Sequence, residues 1–242
     1  MPRTSLIAYQ DQGTELEGYL AYDLAYDENL KEKKPAVLVC HDWTGRNEFA
    51  CHKAEELTKL GYVGFALDVF GKGKLGNTTE EKMKLIQPFM EKRDFLLQRL
   101  NAGLQALIKQ PQVDTNRIAA IGFCFGGLCA LDLARSGAAI RGVVSFHGLL
   151  NAPQHPSTAK IVAKVLDLHG HDDPMVPPDQ VLAFQTEMTK AGVDWQMDIY
   201  GHTKHAFTNP LANDANLGTV YEPKVAKRAW LAMQNFLSEV FS

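Results

Sequence analysis

The segment Ile121-Gly122-Phe123-Cys124-Phe125-Gly126-Gly127 constrains this chain more than any other. An apolar run enters Gly-x-Cys-x-Gly-Gly, and a helical pattern follows directly. This is the pattern of a nucleophile elbow, a sharp strand-to-helix turn, with cysteine where serine is commoner. The turn strains the backbone of its central residue, and its neighbours two positions away must be small for strand and helix to pack closely. Such a turn puts the thiol of Cys124 at a strand end and the Phe125 N–H at a helix N-terminus. That amide can stabilise an oxyanion, and the helix dipole favours thiolate over thiol. A glycine-rich turn with a buried structural cysteine is the competing reading, because cysteine is among the most buried residue types.

Partners decide between the two. An elbow enzyme takes its acid and then its base from the chain downstream of the nucleophile. After the strand expected over 162–168 comes His169-Gly170-His171-Asp172-Asp173-Pro174-Met175-Val176-Pro177. After the strand expected over 195–200 comes Gly201-His202-Thr203-Lys204-His205-Ala206-Phe207. Both lie just past strand ends, on the rim where an open α/β sheet gathers its functional residues. The residues alone leave Asp172 or Asp173 as the acid and His202 or His205 as the base. Asp and His are common in loops, so each fragment is weak by itself; their order carries the weight.

Around this set the hydrophobic pattern alternates. Runs at 6–10 and 16–22 flank Asp11-Gln12-Gly13 and read as an antiparallel edge hairpin, followed by a charged loop over 27–34. The wholly apolar run 36–40 suits a parallel strand covered on both faces. Further strands are expected over 62–67, 117–121 and 140–146. Helices are expected over 48–60 with Gly61 as the stop, from about Thr78, and over 95–108, 125–135, 178–191 and 221–240. Strands alternating with long helices mean βαβ units. The expected architecture is one α/β domain over 1–242: a mainly parallel central sheet, an N-terminal antiparallel hairpin and helices on both faces.

Composition narrows the function classes. The 242 residues are 45% hydrophobic and 22% charged, enough to bury a core. A net charge of −3 invites neither nucleic acid nor an anionic membrane. No apolar run approaches the roughly 20 residues of a membrane span, and the N-terminus lacks the apolar core of a signal peptide. A cytoplasmic location is therefore expected. Cys40, Cys51, Cys124 and Cys129 make no disulfide framework, and their spacing lacks the paired Cys-x-x-Cys of a zinc site. Neither a metal nor another cofactor is expected, and Cys40, Cys51 and Cys129 read as structural.

These segments, with Val39-Cys40-His41-Asp42-Trp43-Thr44-Gly45-Arg46-Asn47 and Ser145-Phe146-His147-Gly148, resemble the dienelactone hydrolase family of α/β-hydrolases over nearly the whole chain. The cysteine elbow followed by His205-Ala206-Phe207 is the most telling pair. The resemblance implies an α/β-hydrolase fold. It selects Asp173, which opens the family's Asp-x-x-Val-Pro motif, and His205, which precedes a small residue and Phe. It further implies that Trp43 supplies a second oxyanion amide beside Phe125, and that Asp42 stands near the resting thiol where better-studied members carry Glu.

The activity so implied is that of a carboxymethylenebutenolidase-like ester hydrolase, acting on a small ester or lactone through a thioester on Cys124. Relatives hold a substrate carboxylate with arginines, one of them four residues after the histidine, where this chain has Asn209. Arg46, Lys82, Lys84 and Arg93 are the replacement candidates for an anionic substrate. Trp43, Phe123, Phe125 and Phe207 either wall the pocket or belong to the core. A monomer or homodimer is expected. The alternatives are a thioesterase or acyltransferase using the same three residues, and a non-catalytic redox-sensing or binding protein on a hydrolase scaffold.

Overall fold

The structure, a computed structural model, describes residues 2–23, 33–155 and 157–242, so most of the expected charged loop at 27–34 lies outside the described residues. The chain divides into two compact units, Met1–Ala120 and Ile121–Ser242.

The first unit contains β1 (Arg3–Asp11), β2 (Thr14–Tyr22), β3 (Lys34–Cys40), α1 (Glu48–Thr58), β4 (Val63–Ala66), α2 (Thr79–Glu91) and α3 (Arg93–Ile108). β5 (Val113–Phe123) closes it and carries the chain into the second unit. Gln12 and Gly13, between β1 and β2, both have positive φ (46° and 79°), the geometry of a two-residue hairpin turn whose twist matches its strands. The strand order is β1-β2-β4-β3, antiparallel from β1 to β4 and parallel between β4 and β3. Successive strand residues face opposite sides, and β4 uses both. A Cβ on Gly64 would overlap the Ala54 carbonyl of α1, whereas Leu67, just beyond the strand, packs against Gly103 of α3. Helices thus cover both faces. Gly61, at φ +83°, ends the α1 turn, and Thr78 and Glu81 form a capping box that starts α2.

The second unit contains α4 (Phe125–Arg135), β6 (Gly142–Phe146), β7 (Lys164–Gly170), α5 (Pro178–Lys190), β8 (Trp195–Tyr200), the two-residue strands β9 (Asn213–Asp214) and β10 (Thr219–Val220), and α6 (Pro223–Phe241). Its strand order is β5-β6-β7-β8, with β6, β7 and β8 parallel. Again both faces are covered: Gly127 of α4 meets Ser145, while Phe236 and Val240 of α6 meet Gly142 on the other side of β6. Arg135, buried at the end of α4, clamps Glu187 of α5 through two bonds of 2.8 and 2.7 Å.

Among the differences from the sequence expectation, three stand out. β5 begins at Val113 rather than 117, because a polar stretch at 114–116 hides a strand start whose Val113 is fully buried. β7 runs to Gly170, so His169 is a strand residue. The β9–β10 ribbon has strands too short for any periodicity to reveal.

Candidate active site

Cys124 occupies the turn between β5 and α4 with φ 57° and ψ −118°, a conformation that costs a side-chain-bearing residue roughly 1–3 kcal/mol. Its backbone is fixed on both sides: Cys124 N–H donates to the Phe146 carbonyl at 3.1 Å, and Gly127 N–H donates to the Cys124 carbonyl at 2.9 Å. The glycines meet a steric demand. A Cβ on Gly122 would overlap the Gly126 carbonyl, and one on Gly127 would lie 2.6 Å from Gly148 Cα. Phe125 is the first residue of α4, where N–H groups have no intrahelical acceptor and point out of the helix end.

Asp173 and His205 are brought together from loops after β7 and β8. Both are almost wholly buried, and His205 Nδ1 lies 2.7 Å from Asp173 Oδ2. The other carboxylate oxygen accepts the Met175 N–H at 2.8 Å. Asp172 and His202 are exposed, and Asp172 N–H is tied to the Thr203 carbonyl at 2.9 Å. Gly170 lets these two loops approach, since a Cβ there would lie 2.9 Å from the Lys204 carbonyl.

The electrostatics link these groups to Cys124. Burial by itself lowers the His205 pKa, but the neighbouring Cys124 and Asp173 overcome it and carry the imidazole up to about 10. The link to Cys124 is chiefly one of charge, because among the described residues no hydrogen bond reaches Nε2. The His205 ring rests edge-on against a second imidazole, His147, at 5.1 Å between ring centroids. Burial and the charge of His205 hold His147 well below its ordinary value, so it packs as a neutral ring, with Nε2 2.8 Å from Thr208 Oγ1. His147, at φ 40°, is a neighbour of His205 that the sequence does not single out. The only signal was its place two residues beyond Ser145 in a segment carrying the family resemblance.

In the first unit, the loop after β3 is tightly organised. Asp42 is buried and its Oδ1 accepts the Thr44 N–H at 2.8 Å. His41 Nδ1 lies 2.6 Å from the Asp42 carbonyl, and His41 Nε2 accepts the Val69 N–H at 3.2 Å. A trans peptide sets its C=O and N–H in opposite directions, so holding the Asp42 carbonyl also fixes the Trp43 N–H. Lys82 lies 5.4 Å from the Trp43 ring centroid. Of the other candidate cations, Arg46 is paired with Glu17 at 2.9 Å and Lys84 with Glu80 at 2.7 Å. Phe123, Phe125 and Phe207 are fully buried and belong to the core rather than to a pocket wall. Cys40 and Cys129 are likewise buried, and Cys51 is half-buried beside Arg46.

A parallel sheet flanked by helices, with an elbow cysteine and a buried Asp–His pair after the later strands, defines the class as an α/β-hydrolase. Residues 20–241 match the model of the dienelactone hydrolase family, and the chain belongs to that family of carboxylic ester hydrolases. Among solved structures it is similar to the "Dienelactone Hydrolase-like Promiscuous Phosphotriesterase P91" from metagenomic libraries, at 34% identity and a TM-score of 0.93, covering 100% of this chain and 99% of that one. A structure titled m3DLH matches at 38% identity, the same TM-score of 0.93 and the same coverage, 100% and 99%. Among curated sequences, a Bradyrhizobium protein named "Probable 2-oxo-3-(5-oxofuran-2-ylidene)propanoate lactonase" is 29% identical over 237 residues, 94% of this chain and 92% of that one.

Proposed function

We propose that this chain hydrolyses small esters or lactones by acyl transfer to Cys124. The observation that carries the reading is the buried Asp173–His205 pair, held at 2.7 Å in the same unit as the strained elbow cysteine. In the first step the Cys124 thiolate attacks the carbonyl carbon, and the tetrahedral oxyanion collapses to a thioester as the alcohol or enol oxygen leaves with a proton from His205. In the second step a water gives a proton to His205 and attacks the thioester carbonyl. Collapse then releases the acid and regenerates the thiolate–imidazolium pair. Asp173 keeps the His205 ring in one tautomer and orientation throughout.

We assign the oxyanion donors to the N–H groups of Phe125 and Trp43, the first because it opens α4 and the second because His41 fixes its peptide. Asp42 is the acid we place beside the resting thiol. A thiolate leaves more readily than an alkoxide, so the chemistry favours substrates whose own leaving group is good, such as enol-lactones. For the substrate we infer a small anion; Arg46 and Lys84 already have carboxylate partners, and Lys82 and Arg93 are the candidate cations to meet it. The full reading is a single 1–242 domain working in the cytoplasm as a monomer or homodimer. The four free cysteines suit a reducing compartment.

The test is Cys124→Ala assayed with p-nitrophenyl acetate. Hydrolysis is expected to vanish while the thermal transition stays close to that of the parent chain; retained turnover would remove Cys124 from the mechanism. A second reading, attack of the same thiolate on phosphorus, is favoured by the near-complete structural match to P91. A p-nitrophenyl dialkyl phosphate offered beside the ester, with a short acyl-CoA as a third arm, ranks phosphotriester and thioester turnover against ester turnover.

A further inference from the structure

We propose that Gly218, which precedes the returning strand of the β9–β10 ribbon, is a positioning residue that sets how closely Asp173 approaches His205. The proposal rests on the Cys124–His205–Asp173 reading above.

The ribbon grips the base loop by its backbone. Thr219 forms a bridge with His205, and the Val220 N–H donates to the His205 carbonyl at 3.0 Å. One turn on, the Glu222 N–H donates to the Phe207 carbonyl at 3.1 Å. The outgoing arm adds a bond of 3.2 Å from Lys204 Nζ to the Ala215 carbonyl. The strand that returns at β10 therefore fixes the backbone on both sides of the base.

The same ribbon abuts the acid loop at one point. Gly218 is buried with φ 78°, and a Cβ there would overlap Pro174 Cγ and lie 2.8 Å from its Cδ. Pro174 follows Asp173 directly, and its ring closes on its own backbone nitrogen, so a change of pucker shifts Cγ but leaves Cδ tied to the backbone in the path of the added Cβ. The Asp173 carboxylate in turn is held by the Met175 N–H on the far side of that proline, at 2.8 Å. A push on Pro174 is thus transmitted to the carboxylate, while the histidine stays with the ribbon. Glycine is required here twice, for the positive φ and for the missing Cβ.

The test compares Gly218→Ala, Gly218→Asn and Gly218→Ala/Pro174→Ala with the parent chain. Readouts are kcat, KM, thermal stability and the NMR titration of the His205 ring. Displacing a catalytic group by a fraction of an ångström to an ångström is expected to lower kcat by about 10²-fold, with KM little changed. The His205 titration should move down as Asp173 withdraws. Asparagine tolerates positive φ, so Gly218→Asn retains the fold and isolates the effect of the Cβ, which decides the matter if the alanine variant does not fold. The double variant removes the proline atoms the Cβ would strike and should recover most of kcat without recovering stability. Loss of stability with kcat and the His205 titration unmoved, or no recovery in the double variant, overturns the proposal. Cys124→Ala run alongside separates the cases: an inactive Cys124→Ala with unmoved glycine variants sinks only this inference, whereas an active one sinks the triad beneath it.

Discussion

At the residue scale, the decisive contrast is between the two histidines and two aspartates that the residue pattern leaves open and the family resemblance separates. Asp172 and His202 differ from Asp173 and His205 by burial, and burial is what gives an ion pair its strength and its cost. No spacing argument reaches that distinction, because neighbouring loop residues of identical type carry no periodicity. The elbow was legible for the opposite reason: its glycines answer steric demands that only glycine meets. His205 offers a direct check on the charge pairing. Its raised pKa stabilises the folded state in full below the unfolded value near 6.5, and that contribution fades as the pH rises through about 10. Replacing Cys124 by Ser removes the first of the groups that raise it. The NMR titration of His205 in Cys124→Ser is therefore expected to fall toward neutral pH, and an unchanged titration would mean that thiol and imidazole are not coupled.

At the element scale, the strand–turn–helix joint and the helix it launches are predicted to be intolerant of small changes. Gly122→Ala sets a methyl into the Gly126 carbonyl, backbone against backbone, and overpacking of this kind costs at least 1–3 kcal/mol. The variant should lose stability and activity together in a denaturant melt and an ester assay; a parent-like melt would show that the turn is looser than its geometry. The clamp between α4 and α5 tests a different force. Glu187→Ala leaves the buried Arg135 with Asp132 and the Leu150 carbonyl as partners and should cost about 1–3 kcal/mol. Most elements were legible because their apolar residues recur with helical or strand periods. The β9–β10 ribbon was not: two-residue strands lack a pattern, and their identity comes from hydrogen bonds to distant loops.

At the scale of the whole molecule, the pH dependence of stability carries a signature of buried acid as well as of the base. Asp167, on β7 opposite Ser145, is pushed by burial up to about 7, against the opposing pull of Ser145. A raised carboxyl favours the folded state at low pH, and that advantage is lost as the pH climbs from the unfolded value near 4 through about 7. Asp167→Asn removes the penalty of the buried charge. Its stability relative to the parent should therefore improve between pH 4.5 and pH 8, by up to roughly 3 kcal/mol, as read from urea melts. A constant difference would mean that Asp167 does not titrate on folding. The family membership, the sheet order within each unit and the helices on both faces all agree with an α/β-hydrolase, and the chemistry we propose for that scaffold is at Cys124. The most direct test of that chemistry is to mix the chain with p-nitrophenyl acetate, quench in acid within the first turnover and digest for mass spectrometry. The result expected is one acetyl group on the peptide bearing Cys124, absent when His205 is replaced by Ala. An acetyl group on any other residue, or turnover with none on Cys124, would contradict the assignment.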